Sequence, residues 1–459
     1  MAAERYNIDM SKGPLLGKLI RYAIPLAITY LLQLAFHAAD MVVIGRWGTP
    51  ESLAAIGATI PLGGLLINVF CAISTGSNVL AAQYYGARDA RSMTKLVHTS
   101  IAMSIIGGVA LAILGICFMH FLVRITQIPE ASRTQSEIYL FICFLGMPFQ
   151  IVYNFGCAIL RAVGNTRSPL YFLIAAGGIN VLLNIFLVVF CHLDVAGVAI
   201  ATVVSQAISA GLVIRCLQHS HRSTRLIMRH LRVDTLSMRN ILRIGMPAGL
   251  QAGCFSFSNI IVQSGINSFG VAAVAGVTAG FNIEMLLYSL LFAMHHTIIA
   301  AVGQNYGAGK PKRLQSCIKL CMTIAIMLAV TGGSLMSYFA APLISIFNTD
   351  PSVIQFGVLR SYAIFPFYFV LALMDISSGA LRGLGHSLQP AIAALVGTCL
   401  FRIVWVKFIF PQYGSLQSLM AVYPASWGVV ALFNMIILWW FCHQIMQGKQ
   451  KYQPQNKGF

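Results

Sequence analysis

Four residues in the first apolar run of the chain have types and spacing that could do chemistry together. Tyr30, Gln33, His37 and Asp40 are separated by 3, 4 and 3 positions, so they share one face of a helix. A carboxylate inside an apolar run is costly, and where it persists it marks an ion or proton pathway. Asp40 lies about five residues below the outer end of its run, while Asn184 and Thr202 lie about seven below the outer ends of the fifth and sixth runs, similar depths at 1.5 Å per residue. Asn180 sits one turn before Asn184. One carboxylate, two amide oxygens and a hydroxyl at one level can form an oxygen cage for Na+. They can equally hold Asp40 while it takes and releases a proton. His37, one turn from Asp40, can titrate together with it.

Two further acids lie deep in apolar runs, Glu284 and Asp375. A second polar stripe, Ser256, Asn259, Gln263 and Asn267, steps by 3, 4 and 4. We expect Tyr30, Gln33, His37, Asn259, Gln263, Glu284 and Asp375 to line a substrate cavity. No catalytic residues are expected. HExxH, a Ser/His/Asp arrangement and the phosphate loop GxxxxGK[ST] are all missing from the sequence, which argues against an enzyme and against ATP as the direct energy source. No cofactor is expected, and no metal beyond a Na+ at Asp40. The 11 cysteines form no CxxC pair. Cys317 and Cys321, one turn apart, read as packing. His295 and His296 are adjacent and point in different directions.

The elements that must position these residues follow from composition. The 459-residue chain is 58% hydrophobic and 9% charged, whereas a soluble chain carries roughly 25% charged residues. Its mean hydropathy is +0.79. Ser52 to Ala87, Val97 to Val123, Ile244 to Ile283 and Leu320 to Thr349 contain no Asp, Glu, Lys or Arg. A membrane-spanning helix needs about 20 mostly apolar residues, so the class is a polytopic helical membrane protein with twelve spans. With the N-terminus inside, 24 of the 30 Lys and Arg fall in inner segments; Arg46, Arg124 and Arg133 fall outside and Arg360, Arg402 and Lys407 within spans. The positive-inside rule then puts both termini in the cytoplasm. The net charge of +18 is explained by loops flanking spans rather than by nucleic-acid binding. The first run lacks a small-residue cleavage site, so no cleavable signal is expected.

The chain also repeats itself. IRYAIPLAI (20–28) is similar to LRIGMPAGL (242–250), QYYGARD to QNYGAGK, and ILRAVGNTRSPL (159–170) to ALRGLGHSLQPA (380–391), with offsets of 222, 221 and 221. One register across three sites means two copies of a six-span unit. The expected division is an N-lobe at 1–216, a basic linker at 217–238 and a C-lobe at 239–459 with a short tail. Six is even, so the repeats run parallel, one of the known transporter plans. The repeated QYYGARD and QNYGAGK segments read as inner turns, where Gly ends a helix. Pro25 and Pro247 lie inside the first helix of each half; proline removes a backbone donor, which makes the pair candidate hinges.

YGARDARSMTK, ILRAVGNTRSPLYF, GGINVLLN and GVAIATVVSQ resemble the multidrug and toxic compound extrusion (MATE) family, in order along nearly the whole chain. The branch looks like the bacterial one related to the DNA-damage-inducible protein F transporters. The resemblance implies an all-α fold of twelve helices in two six-helix lobes forming a V, and export of organic compounds, often cationic, driven by inward flow of Na+ or H+. It also implies an N-lobe coupling site. The family's Asp on span one, Asn and Asp on span five and Thr on span six fall on Asp40, Asn180, Asn184 and Thr202. The second carboxylate is here Asn184, which removes one negative charge. Some relatives pair acids on spans seven and ten. Here Val262 occupies the register of Asp40 and span seven has no acid, so coupling is expected in the N-lobe alone. The expected function is an antiporter exporting cationic or amphipathic compounds in exchange for H+ or Na+. The alternatives are a flippase for lipid-linked oligosaccharide or an exporter dedicated to one metabolite. The expected partners are small organic molecules and membrane lipid, and the expected setting is a monomer in the bacterial inner membrane.

Overall fold

The computed structural model describes residues 6–125, 128, 130–220 and 223–449. Arg5, Arg222, Lys451 and Lys457, counted above toward orientation, lie outside these. Among the described residues there is no strand, and twelve long helical stretches follow one another. In unit order they are α1 (Leu15–Trp47), α2 (Pro50–Ala87), α3 (Ala90–Ile125), α4 (Glu130–Ala162), α5 (Arg167–Ile185, continued by a π-helical turn Phe186–Phe190) and α6 (Asp194–Gln218). After a connection that includes one 3-10 turn come α7 (Thr235–Asn267), α8 (Val271–Gly307) and α9 (Pro311–Tyr338). The last three spans are α10 (Pro351–Gly383), α11 (Leu388–Tyr413) and α12 (Leu416–Met446), the first two interrupted by 3-10 or π-helical turns. Among the described residues, ten of these stretches are long and apolar enough to cross a membrane. The polar stripe and two arginines of α7 hold it below that threshold.

Local chemistry sets the helix ends. Thr49 caps α2 by accepting from Ser52 N, with Pro50 in the first turn; proline at that position sacrifices no helical hydrogen bond. Asp350 does the same for α10, followed by Pro351. The repeated turns differ from expectation in one detail. α2 runs past Gly86 to Ala87, and the left-handed residue that ends it is Arg88 at φ 56. In the second copy the same register carries Gly309 at φ 64, where the conformation is free of steric cost.

The backbone confirms the repeat. Gly164 after α4 and Gly385 after α10 lie 221 residues apart and adopt φ 90 and 93. A Cβ on Gly164 would stand 2.3 Å from the backbone N of Ile8, so that position needs glycine twice over.

By contacts the chain forms two compact units. Unit 1 is Met1–Asp9 with Ile24–Gly249, and unit 2 is Met10–Ala23 with Leu250–Phe459. These differ from the expected sequence lobes: the divisions fall inside α1, just before Pro25, and inside α7, just after Pro247. The expected linker belongs to unit 1.

Hydrogen bonds explain both exchanges. In unit 2 the segment before α1 is bound on the α8–α9 turn. Met10 N donates to Gln304 Oε1 at 2.7 Å, and Arg313 Nε donates to Met10 O at 2.8 Å. Arg313 Nη2 donates to the carbonyls of Lys12 and Gly13, both at 2.8 Å, and Lys310 Nζ to that of Ser11 at 2.7 Å. In unit 1 the segment before α7 is bound on the start of α3. Thr94 Oγ1 donates to Ser223 O at 3.2 Å, Ile227 N to His98 Nε2 at 3.1 Å, and Asp234 N to Thr99 Oγ1 at 3.1 Å. The Asp234 carboxyl is held below the usual carboxylate range, first by the backbone N–H of Ser237 and then by its hydroxyl and Lys95. A depressed carboxylate contributes its stability above its unfolded value and loses it as pH falls through its folded value, so this docking is complete at neutral pH. The repeated turns therefore receive chain as well as reversing it. Arg313→Ala removes three charge-assisted bonds. Limited trypsinolysis of the purified protein is expected to release residues 1–12 several-fold faster than from wild type.

Candidate functional site

Unit 1 brings Asp40, Asn180 and Asn184 together. Asn184, with 0% exposure, donates from Nδ2 to Asp40 Oδ1. The same nitrogen lies 3.4 Å from Asn180 Oδ1. The Asn184 Oδ1 atom is buried and has no partner. A buried acceptor without a donor is unfavourable by about 1–3 kcal/mol, and here it sits on the residue that touches a carboxylate. Oxygens from three side chains, one of them a carboxylate, suit a hard cation or a carboxyl that is protonated in turn. Thr202 has the expected depth, but its hydroxyl donates to Val198 O at 2.9 Å within its own helix. Along the stripe, Tyr30 and Gln33 are half-buried and His37 is exposed.

Next to the site, toward the end of the unit away from the basic loops, Val43, Ile44, Ile56, Val188, Val195 and Val198 form one apolar cluster. At that same end lies Asp194, a residue that spacing alone did not single out. Its Oδ2 accepts from Ser52 Oγ, from Thr49 Oγ1 at 3.3 Å and from Gln135 Nε2 at 3.4 Å. Asp194 thus ties α2, α4 and α6 together. It opens α6 with a left-handed backbone, φ 49; the signal available in the sequence was an acid between the fifth and sixth apolar runs.

Unit 2 has no copy of this site. Val262, in the register of Asp40, is fully buried. Glu284 is placed differently from expectation. It does not face an open cavity: at 7% exposure it pairs with Arg360, 3% exposed, and accepts from Tyr368 Oη at 3.1 Å. A charge at that depth requires such a partner. Asp375 accepts at its backbone oxygen from His295 Nδ1 at 2.8 Å, and its Oδ2 is buried without a partner. Arg382 lies nearby, reaching His295 Nε2 at 3.4 Å and Gln251 Oε1 at 2.6 Å. Asn259 and Gln263 are exposed, and Gln263 Nε2 donates to Asn267 Oδ1 at 3.0 Å. Arg402, which the sequence only placed within a span, donates to Asn259. Among the described residues no cluster of three or more His, Cys, Asp or Glu could hold a metal.

Known proteins resemble this chain along most of its length. It is 28% identical over 430 residues to "Probable multidrug resistance protein YoeA" of Bacillus subtilis, covering 90% of each. It is 27% identical over 407 residues to "Probable multidrug resistance protein NorM" of Thermotoga maritima, covering 88% of this chain and 87% of the relative. The "FAD transporter" of Shewanella oneidensis is 26% identical over 351 residues, 75% of this chain and 76% of that one. The fold matches that of a MOP superfamily transporter from Pyrococcus furiosus, described by the reverse polarity of its binding pocket, with a TM-score of 0.89 at 20% identity over 95% and 98% of the two chains. The MatE family model matches twice, at residues 25–186 and 247–406, the two halves found from the internal repeat. The chain therefore belongs to the MatE family, as a polytopic helical membrane transporter.

Proposed function

We propose that this protein is a secondary antiporter that exports organic compounds in exchange for H+ or Na+, with coupling in unit 1 at Asp40. The observation that carries the proposal is the Asn184 contact to Asp40 beside the orphaned Asn184 Oδ1. A cation bound there satisfies both oxygens at once; a proton on Asp40 removes the buried charge instead. In either case the site changes charge state, and a buried site that changes charge state can bias a two-state equilibrium. Asn180 extends the oxygen set, and Thr202, whose hydroxyl oxygen still has acceptor capacity, joins it only by a shift of α6. Pro25 and Pro247 serve as the hinges, one in each helix that is divided between the units, as the units alternate access. Asp375 contacts substrate or a second proton. Tyr30, Gln33, His37, Asn259 and Gln263 line the substrate path.

The protein works as a monomer in a bacterial inner membrane with both termini in the cytoplasm, and needs no cofactor. Relatives named as probable multidrug resistance proteins support broad cargo, which we take to be cationic or amphipathic. A relative that carries FAD supports, as a second reading, a carrier dedicated to one metabolite. The test is dye transport by proteoliposomes under a proton or a Na+ gradient imposed separately. Transport of a cationic dye such as ethidium that responds to one gradient only is expected. Equal transport with neither gradient would contradict antiport.

A further inference from the structure

Arg402 is 1% exposed, and every group that holds it is neutral. Its Nη1 donates to Asn259 Oδ1 at 2.8 Å and to Ser258 Oγ at 3.2 Å, and its Nε to Ser426 Oγ at 3.2 Å. Its Cζ stands 4.5 Å from the centre of the Tyr423 ring. The buried ion pair of this unit is Glu284 with Arg360; among the described residues Arg402 makes none. A guanidinium cannot shed its proton, so its charge stays in the interior, in direct contact among the described residues with dipoles and a ring face alone and with the Glu284 carboxylate, already paired to Arg360, as a more distant counter-charge. Such a charge is costly and attracts an anion.

The register of Arg402 gives this a context. The halves are offset by 221 at Pro169 and Pro390. Between Pro390 and Arg402 lies a π-helical stretch, Leu395–Leu400, whereas α5 is regular up to Ile185. A π-bulge accommodates one inserted residue. Beyond it the offset becomes 222 and Arg402 falls on Asn180. The contacts agree: Ser258 and Asn259 on α7 fall on Phe36 and His37, one turn from Asp40. Unit 1 thus has a carboxylate and an amide where unit 2 has Val262 and a guanidinium. Across these two positions taken together, one negative charge in unit 1 is replaced by one positive charge in unit 2. Asn259 is the way in: its oxygen covers Arg402 while the residue itself is exposed, on the same stripe as exposed Gln263.

We propose that Arg402 and Asn259 form an anion subsite for the carboxylate, phosphate or sulfonate of an amphipathic organic compound. The anion displaces the Asn259 oxygen from the guanidinium. That the occupant is cargo rests on the export reading above; that the subsite binds anions does not.

Fluorescence anisotropy of fluorescein with the purified full-length protein in non-ionic detergent tests the binding, without any gradient. Saturable binding is expected. Asn259→Asp places a carboxylate on Arg402 without removing any buried group. It is expected to weaken fluorescein about tenfold or more, the scale of one charge-assisted contact. Its melting temperature should match or exceed wild type. Arg402→Gln is expected to lose fluorescein as well. Failure of wild type to bind fluorescein, or unchanged binding by Asn259→Asp, overturns the proposal, since a purely structural arginine predicts the latter. Fluorescein uptake by phosphatidylcholine proteoliposomes, lost in Asn259→Asp, identifies the occupant as cargo. Displacement by phosphatidylglycerol with no uptake identifies a lipid headgroup and overturns the cargo assignment. Antiport itself could fail while the binding result stands, so the two readings are tested separately.

Discussion

Asp40→Asn is expected to reduce gradient-driven dye efflux to the level of cells lacking the protein. Asp40 is the one charged group of the unit 1 site, and Asn184 donates to it directly. The substitution keeps size and shape and removes only the charge. A charged contact is worth about 1.5–3 kcal/mol, so affinity for the coupling ion should fall roughly 10- to 200-fold. Asn cannot take up a proton, so a proton-coupled cycle stops altogether. Melting temperature should change little, because the amide can still pair with Asn184. Efflux by Asp40→Asn at wild-type rate would remove the site from the mechanism and direct attention to Asp375, the acid in unit 2 with an unpartnered buried oxygen.

The second large effect is on stability. Arg360→Met leaves Glu284 buried without its ion-pair partner, and with Tyr368 Oη as its hydrogen-bond donor among the described residues. Removing one partner of a buried pair is unfavourable by about 3–5 kcal/mol, whereas replacing both with apolar residues of similar volume is often neutral. Arg360→Met is therefore expected to melt well below wild type in detergent, and to be recovered poorly from membranes. The double variant Glu284→Leu with Arg360→Met should return close to wild type and still transport. A double variant that is stable but inactive would restore Glu284 to the substrate path that its position in the sequence suggested.

Much of the architecture was legible because it depends on local quantities. Apolar length marked the helices, and register marked the repeat, down to glycines with the same φ in both halves. Depth along the helices was legible too, and brought Asp40 level with Asn184. Rotation of each helix was not, and two outcomes turn on it. Thr202 has the correct height but donates its hydroxyl to its own helix, and Glu284 faces Arg360, 76 residues away. A period of 3.6 defines a face without saying what that face meets. The docking of residues 10–13 on a turn some 300 residues later was hidden for a further reason: it is made largely to backbone carbonyls, which leave no trace in side-chain spacing. Asp194 and Arg402 were visible as charges near or within spans, but their partners come from several helices each.

In the proposed exchange, substrate and coupling ion exclude one another through Asp40. The most direct measurement is ion release on substrate binding by the purified protein, in weak buffer with a pH indicator and, in parallel, after loading with radioactive sodium. Wild type is expected to release protons or sodium, one of them only, in proportion to substrate bound, and Asp40→Asn to bind substrate and release neither. Equal release from both proteins would contradict the account.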